Sequence, residues 1–498
     1  MLLNMENISK SYGPVKANTD INFTLGKGEI HALVGENGAG KTTLMRILYG
    51  MENQASGTIL VNGKPQSFAT PADAISSGIG MVHQHFMLFP SFTVAENIVI
   101  GQETKKWNGF DRKAAAAAVE KLSKLYGMPV DPHQKVESCS LGVQQRVEIL
   151  KVLYQGADII ILDEPTGVLT PLEVKELLVS IKRLASQGKS FIIISHKLQE
   201  IMEVADRITV LRDGRVTGVV DAKNTDIEQI SRLMVGRDLM QMERSAPKLG
   251  APVLEVRGLT VAGDRGKPLV DGASFKVHAG EIVGVAGISG NGQSELIGAI
   301  AGLQGASSGQ VMLVGQDVTS APVRKIRELG LAHIPEDRYQ WGAAKDATVV
   351  ENGVMGHARQ QQRSGIMRGR SIRKMVEGWV KRFEVKTGSL DTKVQFLSGG
   401  NLQKLIAARE LAQGTPFLIA AEPTRGVDVG AMEIIHGELL KRRDEQGAIL
   451  LVSSELTEIL KLSDRILVMN EGRIVGELAA GEATEEQISL LMAGGKRH

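Results

Sequence analysis

The chain has 498 residues, 43% hydrophobic and 23% charged, which calls for two or three domains with real cores rather than one compact body. Lys and Arg number 58 against 56 Asp and Glu, and aromatics are only 4%, so the composition provides neither a track for a phosphate backbone nor a stacking platform for nucleic acid. The single cysteine, Cys139, excludes an internal disulfide and a thiolate metal site and fits a reducing compartment.

The N-terminal stretch lacks the basic start and apolar core of a signal peptide. The longest apolar runs, 159–162 and 191–194, are strand-sized, far short of the ~20 residues that cross a bilayer. Taken in order, residues 30–34 read as a buried strand. Gly35-Glu36-Asn37-Gly38-Ala39-Gly40-Lys41-Thr42 follows, then a helical stretch from Thr43. Strand, Gly-rich loop and helix is the order that a phosphate-binding loop needs. Its glycines turn backbone N–H groups toward phosphate oxygens, and the helix points its positive end at them. Lys41 can reach the terminal phosphates, and the Thr42 hydroxyl can ligate Mg²⁺.

Gln84 follows a second apolar strand between His83 and His85, which alternate on an extended segment far from other His or Cys and read as structural contacts rather than metal ligands. The alanine run 114–118 reads as helix. The strand 159–162 delivers Asp163 and Glu164, adjacent carboxylates whose burial is costly unless a cation or water uses them. A further strand, 191–194, precedes His196, and the polar stretch 237–252 reads as a linker.

The chain repeats itself. Gly28-Glu29-Ile30 returns as Gly280-Glu281-Ile282, and the glycines at 35 and 40 return at 287 and 292, all at an offset of 252. Glu164-Pro165-Thr166 returns as Glu422-Pro423-Thr424 and Asp206-Arg207-Ile208 as Asp464-Arg465-Ile466, at 258. Six extra residues therefore lie between about 338 and 397, a stretch that reads as helices with loops. Short Ile/Val runs alternating with amphipathic stretches predict α/β units with a largely parallel sheet in each half, 1–236 and 253–498.

Between loop and carboxylates lies Cys139-Ser140-Leu141-Gly142-Val143-Gln144-Gln145-Arg146, and in the second half Leu397-Ser398-Gly399-Gly400-Asn401-Leu402-Gln403-Lys404. With Gln84 and His196, these motifs resemble those of ABC transporter ATP-binding subunits along essentially the whole chain. The resemblance implies two tandem P-loop NTPase domains, each with a mostly parallel RecA-like core, an antiparallel β subdomain and a helical signature subdomain. It implies ATP and Mg²⁺, with Thr42, Gln84 and Asp163 toward the metal. Glu164 would be the base that orients water, while His196 and Gln84 would sense the terminal phosphate. Tyr12 stands where that family stacks an aromatic on adenine, against ordinary packing as the plainer reading. For Cys139, a small buried packing residue is the reading preferred over a redox switch.

The halves differ where chemistry is concentrated. Lys41 corresponds to Gln293, Asp163 to Ala421, His196 to Ser454 and Gln84 to Glu336. In the ABC family each nucleotide lies between one domain's loop and the other's signature. The resemblance therefore implies one sound site: Tyr12, Gly35, Glu36, Asn37, Gly38, Ala39, Gly40, Lys41, Thr42 and Thr43 of the first half with Ser398, Gly399, Gly400 and Asp428 of the second. The damaged elements fall together on the other. Motifs such as Met81-Val82-His83-Gln84-His85-Phe86 and Ala420-Ala421-Glu422-Pro423-Thr424-Arg425-Gly426 resemble nucleoside-type and ribose- or galactose-type importers. That likeness implies an ATPase on the cytoplasmic face of the cell membrane. One copy would serve two permease subunits and an extracytoplasmic binding protein, with no nucleic acid. A ribosome-associated tandem ABC factor is the rival of another class; a short joint and a damaged second site stand against it.

Overall fold

The computed structural model describes all residues except Pro14, His85, Thr104, Trp107, Asn108, Val168, Thr170, His196, 237–244, Asp264, Arg265, Ser289, Arg359, Gln360, Ser364, Gly365, Ala493 and 495–498. Its contacts divide the chain into two units, Met1–Leu239 and Met240–His498.

In the first unit, alternating strands Leu3–Tyr12, Val15–Leu25, Ser56–Val61 and Lys64–Gln66 form an antiparallel sheet that buries Leu3, Met5 and Ile8. Beside it stands a six-stranded sheet in the order Arg215–Asp221, Arg207–Arg212, Ile30–Gly35, Ser190–Ile194, Ile159–Asp163, Ile79–Val82. All its neighbours pair parallel except the Arg215–Asp221 edge. Strands buried on both faces have no polar side, which is why they read as unbroken Ile/Leu/Val runs. The parallel order gathers the carboxyl ends of Ile30–Gly35, Ile159–Asp163 and Ile79–Val82 along one edge, the edge where α/β sheets bind ligands.

The second unit repeats both sheets. The antiparallel one runs Val270–His278, Pro252–Val261, Ser308–Leu313, Gln316–Asp317. The six-stranded one runs Leu331–Ile334, Phe417–Ala421, Ala448–Val452, Ile282–Ala286, Arg465–Asn470, Arg473–Ala479. Each unit adds a helical portion, comprising Val94–Val99, Arg112–Tyr126 and Leu141–Tyr154 in the first and Val349–Val354, Gly369–Arg382 and Gly399–Leu411 in the second. The run 114–118 lies within the helix Arg112–Tyr126, as its propensity predicts. Buried Asn97 and Asn352 fasten these portions by bonding backbone groups of Phe89 and Thr93, and of Ala344, Ala347 and Thr348.

The six extra residues resolve into steps. Thr93 and Thr348 cap equivalent helices through matching capping boxes, at an offset of 255. Three of the six therefore precede Thr348, where Arg338–Gly342 forms a single π-helical turn. The rest follow, before Val394–Phe396. That stretch also holds a hairpin, Gln362–Arg363 with Ile366–Met367, in a region read only as helices with loops. Two-residue strands carry no periodic signal, so the hairpin is invisible in the pattern. No helix among the described residues is long and apolar enough to cross a membrane.

Candidate functional site

The first unit's loop wraps the amino end of the helix Lys41–Leu48. Gly38 and Gly40 take φ of 84° and 97°. A Cβ at Gly40 would stand 2.2 Å from the Ala17 carbonyl oxygen, so only glycine fits. Asn18, buried in the neighbouring strand, donates to the Gly40 carbonyl at 3.1 Å. The Lys41 ammonium turns back on the loop, donating to the Gly35 carbonyl at 2.7 Å and the Glu36 carbonyl at 3.0 Å. Lys41 is 7% exposed, and burial holds its pKa below the usual amine value, against the opposing charges of Glu164, Asp163 and Glu36.

Asp163 ends its strand equally buried. Burial first, then the neighbouring Glu164, raises its pKa to about 6, while Lys41 and Arg46 pull it down. Glu164 sits at φ 50°, its N–H donating to the Ile194 carbonyl at 2.9 Å. The left-handed turn swings Glu164 out of the strand's alternation, and for a non-glycine residue such a conformation marks a constrained site. The structure thus brings Glu36, Lys41, Asp163 and Glu164 together, with Thr42 and Thr43 on the same helix. Gln84 is exposed just beyond Ile79–Val82. Tyr12 ends the first strand, exposed, with the Lys10 ammonium 5.2 Å from its ring centroid. His196 and His85 lie outside the described residues, while His83 is half-buried edge-on to Tyr49.

The second unit keeps this backbone and changes its chemistry. Gly290 and Gly292 have φ of 88° and 97°, and a Cβ at Gly292 would meet the Leu269 carbonyl at 2.3 Å. The Gln293 amide curls against Gly287 as Lys41 curls against its own loop, without a charge. Ser294 donates to the Glu336 carboxylate at 2.6 Å. Ala421 leaves Glu422 alone at the strand end, and its carboxylate is taken up by Ser454, whose N–H and hydroxyl donate at 2.6 and 3.1 Å. Burial is the main cause that lifts the Glu422 pKa to about 7.

Two segments, residues 18–167 and 270–425, match the family described as ABC transporter. The chain belongs to the ABC transporter family. The guanosine import ATP-binding protein NupO of Bacillus subtilis is 46% identical over 496 residues, 99% of this chain and 97% of that protein. The nucleoside import ATP-binding protein NupA of Lactococcus lactis is 44% identical, covering 99% and 98%. The ribose import ATP-binding protein RbsA of Bacillus subtilis is 39% identical over the full length of both. Among solved structures, an archaeal ribosome recycling factor complexed with a ribosomal stalk protein aligns with a TM-score of 0.65. That match spans 98% of this chain and 92% of the other at 19% identity, and it speaks for the fold alone. As a member of the ABC transporter family, the chain is an ATPase with ATP-binding domains.

The family's signature helices also differ between units. In the second, Ser398 caps Gly399–Leu411, its hydroxyl accepting from the Asn401 N–H at 3.4 Å. Gly399 and Gly400 put no side chain on the helix tip, and a Cβ on Gly400 would come within 2.6 Å of the Gly426 carbonyl. In the first, Leu141 occupies the position of Gly399 and is 46% exposed, so the tip carries an isobutyl group. Cys139 replaces Leu397 in an equally buried place, and burial raises its thiol pKa, as a packing residue requires. Asp428 caps Val429–Asp444 through the Ala431 N–H and pairs with Lys404 at 2.5 Å.

Several supporting residues carry no sequence motif. Asn18 and Arg46 serve the first cradle, and Arg338 donates to the Gly399 carbonyl behind the second signature tip. A polar residue in an alternating strand was the available signal for Asn18. The other two act through tertiary contacts that spacing does not encode.

Proposed function

We propose that this chain is the energy-coupling ATPase of a nucleoside importer and that it hydrolyses ATP at the cradle of its first unit. It works at the cytoplasmic face of the cell membrane beneath two permease subunits served by an extracytoplasmic binding protein. The observation that carries this reading is the Lys41–Asp163–Glu164 cluster, opposed by Gln293 and Ala421 in the second unit. The nucleoside assignment rests on relatives that import guanosine and nucleosides. A simple sugar is the second reading, favoured by the ribose-importing relative.

In this mechanism the Lys41 ammonium exchanges its loop carbonyls for phosphate oxygens, which bind a cation more strongly than neutral carbonyls do. Tyr12 offers its exposed ring to the adenine. Glu164, aimed out of its strand, accepts a hydrogen bond from the attacking water and orients it, while Gln84 and His196 respond to the terminal phosphate. The Thr42 hydroxyl and Asp163 carboxylate are hard oxygen donors, and the Asp163 pKa, raised by burial and then by Glu164, is one that a bound cation would lower. That donor set fits Mg²⁺, with Gln84 in reach of the same edge. When bound, the ion would neutralise phosphate charge. Ser398, Gly399 and Gly400 contribute signature donors to the same turnover, with Asp428 supporting them.

The test is a pair of substitutions on purified chain with its permease. Glu164→Gln should lower ATP turnover by about 10²–10³, the scale of one lost transition-state contact. Glu422→Gln should leave it within about two-fold. Equal losses would overturn the assignment. Uptake of labelled guanosine against labelled ribose by the reconstituted complex separates the two substrates.

A further inference from the structure

In the second unit the phosphate loop has kept its scaffold while losing its cations. The helix Lys41–Leu48 has no acid in its first turn and carries Arg46 in its last. Its counterpart Gln293–Ile300 has Glu295 in its first turn and no basic residue in its last. An acid at a helix amino end is favourable in the empty protein and repels a phosphate aimed at that end. Both cations of the first cradle are gone, Lys41 to Gln293 and Arg46 to Gly298, while Glu295 and Glu336 stand where the first unit has Thr43 and Gln84. Scaffold retention is active. Asn291, in place of Ala39, accepts from the Glu471 N–H with its side chain at 3.3 Å and from the Gly472 N–H with its carbonyl at 3.1 Å, tying the loop to the adjoining turn.

Glu336 is the decisive group. It replaces Gln84, a neutral side chain that can share an oxygen with a metal or a phosphate. Its carboxylate accepts from the Ser294 hydroxyl at 2.6 Å, engaging the group that corresponds to Thr42. We propose that Glu336, latched to Ser294, makes the second cradle reject magnesium nucleotide, so that the two units differ in occupancy and not merely in hydrolysis rate. The donor set there does not suit the metal nucleotide. Ala421 supplies no carboxylate opposite Ser294, and no ammonium or guanidinium at the positions of Lys41 and Arg46 offsets the phosphate charge. The proposal rests on the reading of the first cradle as the hydrolytic one.

Because Glu336 is exposed, its replacement should leave the fold intact. The experiment titrates the full chain with trinitrophenyl-ATP and Mg²⁺ and follows fluorescence, in a Lys41→Ala background that weakens the first cradle. Glu336→Gln and Glu336→Ala should each tighten nucleotide binding at least about ten-fold, the scale of removing one like charge beside a phosphate. Ser294→Ala added to either should cancel the gain, which locates it in the second cradle. With Lys41 restored, the bound nucleotide per chain should rise from one to two. Unchanged binding overturns the proposal. Weaker binding that demands more Mg²⁺ also overturns it, by making Glu336 a metal ligand. Failure of the parent reading looks different: the Lys41→Ala chain would still hydrolyse ATP at the original rate, whatever occupies position 336.

Discussion

The two phosphate cradles share a backbone and almost nothing else. Gly40 and Gly292 have the same φ, and each would drive a Cβ into a neighbouring backbone carbonyl, that of Ala17 or of Leu269. Those glycines hold the helix against the antiparallel sheet, so the fold needs them whether or not a nucleotide binds. Lys41 and Asp163 have no such duty; with Arg46 exposed nearby, they crowd charge into a buried edge and lower stability unless a ligand uses it. Their counterparts are Gln293, Ala421 and Gly298. The second unit lacks the charged groups of the first and keeps the glycines that the chain packs against.

The sharpest way to break this comparison is to remove the polar end from both loops. Lys41→Ala should lower ATP turnover by about 10²–10³, since the ammonium faces charge that grows in the transition state. Gln293→Ala should change turnover by less than about two-fold. Phosphate release from the full complex measures both, and a comparable fall in the two variants would mean that both cradles turn over.

The signature tips allow a second, smaller test. Gly399→Leu places on the second helix the side chain that the first helix carries as Leu141. It should lower turnover by about ten-fold or more if the added side chain blocks the backbone N–H groups, worth roughly 1.5–3 kcal/mol each to a charged acceptor. Leu141→Gly removes the side chain from the first tip and, if only the first cradle turns over, should leave turnover unchanged. A gain in turnover from Leu141→Gly would show a second site limited only by its signature.

Much of this is legible in the amino-acid sequence. Strands such as 159–163 and 417–421, buried on both faces, must be apolar throughout, so they announce themselves. The glycine loop is legible because phosphate binding ties residue type to position. Partnerships made by folding were not legible. Nothing in the spacing pairs Ser294 with Glu336, Arg338 with the Gly399 carbonyl, or Ser454 with Glu422, because each joins segments tens of residues apart. The π-helical turn Arg338–Gly342 was hidden for a different reason. A few residues inserted at a turn shift the repeat without leaving a period of their own.

The smallest expected effect is on stability, and its sign separates the units by pH. Burial, with a further push from Glu458, raises the Glu422 carboxyl from an ordinary 4.5 to about 7 in the folded chain, against Ser454 and Arg425. The folded state therefore binds this proton more tightly than the unfolded state. The corresponding stability is fully present below about pH 4.5 and is lost as pH rises through about 7. Glu422→Gln keeps an oxygen for Ser454 and removes the ionisation. It should match the parent at pH 4.5 and exceed it at pH 8 by about 1–2 kcal/mol, after allowance for solvent screening. That gain is a few degrees in melting temperature for a unit of this size. Asp163→Asn should show the same sign in a lower window, its gain complete once pH passes about 6. Melting curves of both variants from pH 4.5 to 8 check the ordering. A Glu422→Gln advantage that appears unchanged at pH 4.5 would show that the gain comes from packing and not from the charge.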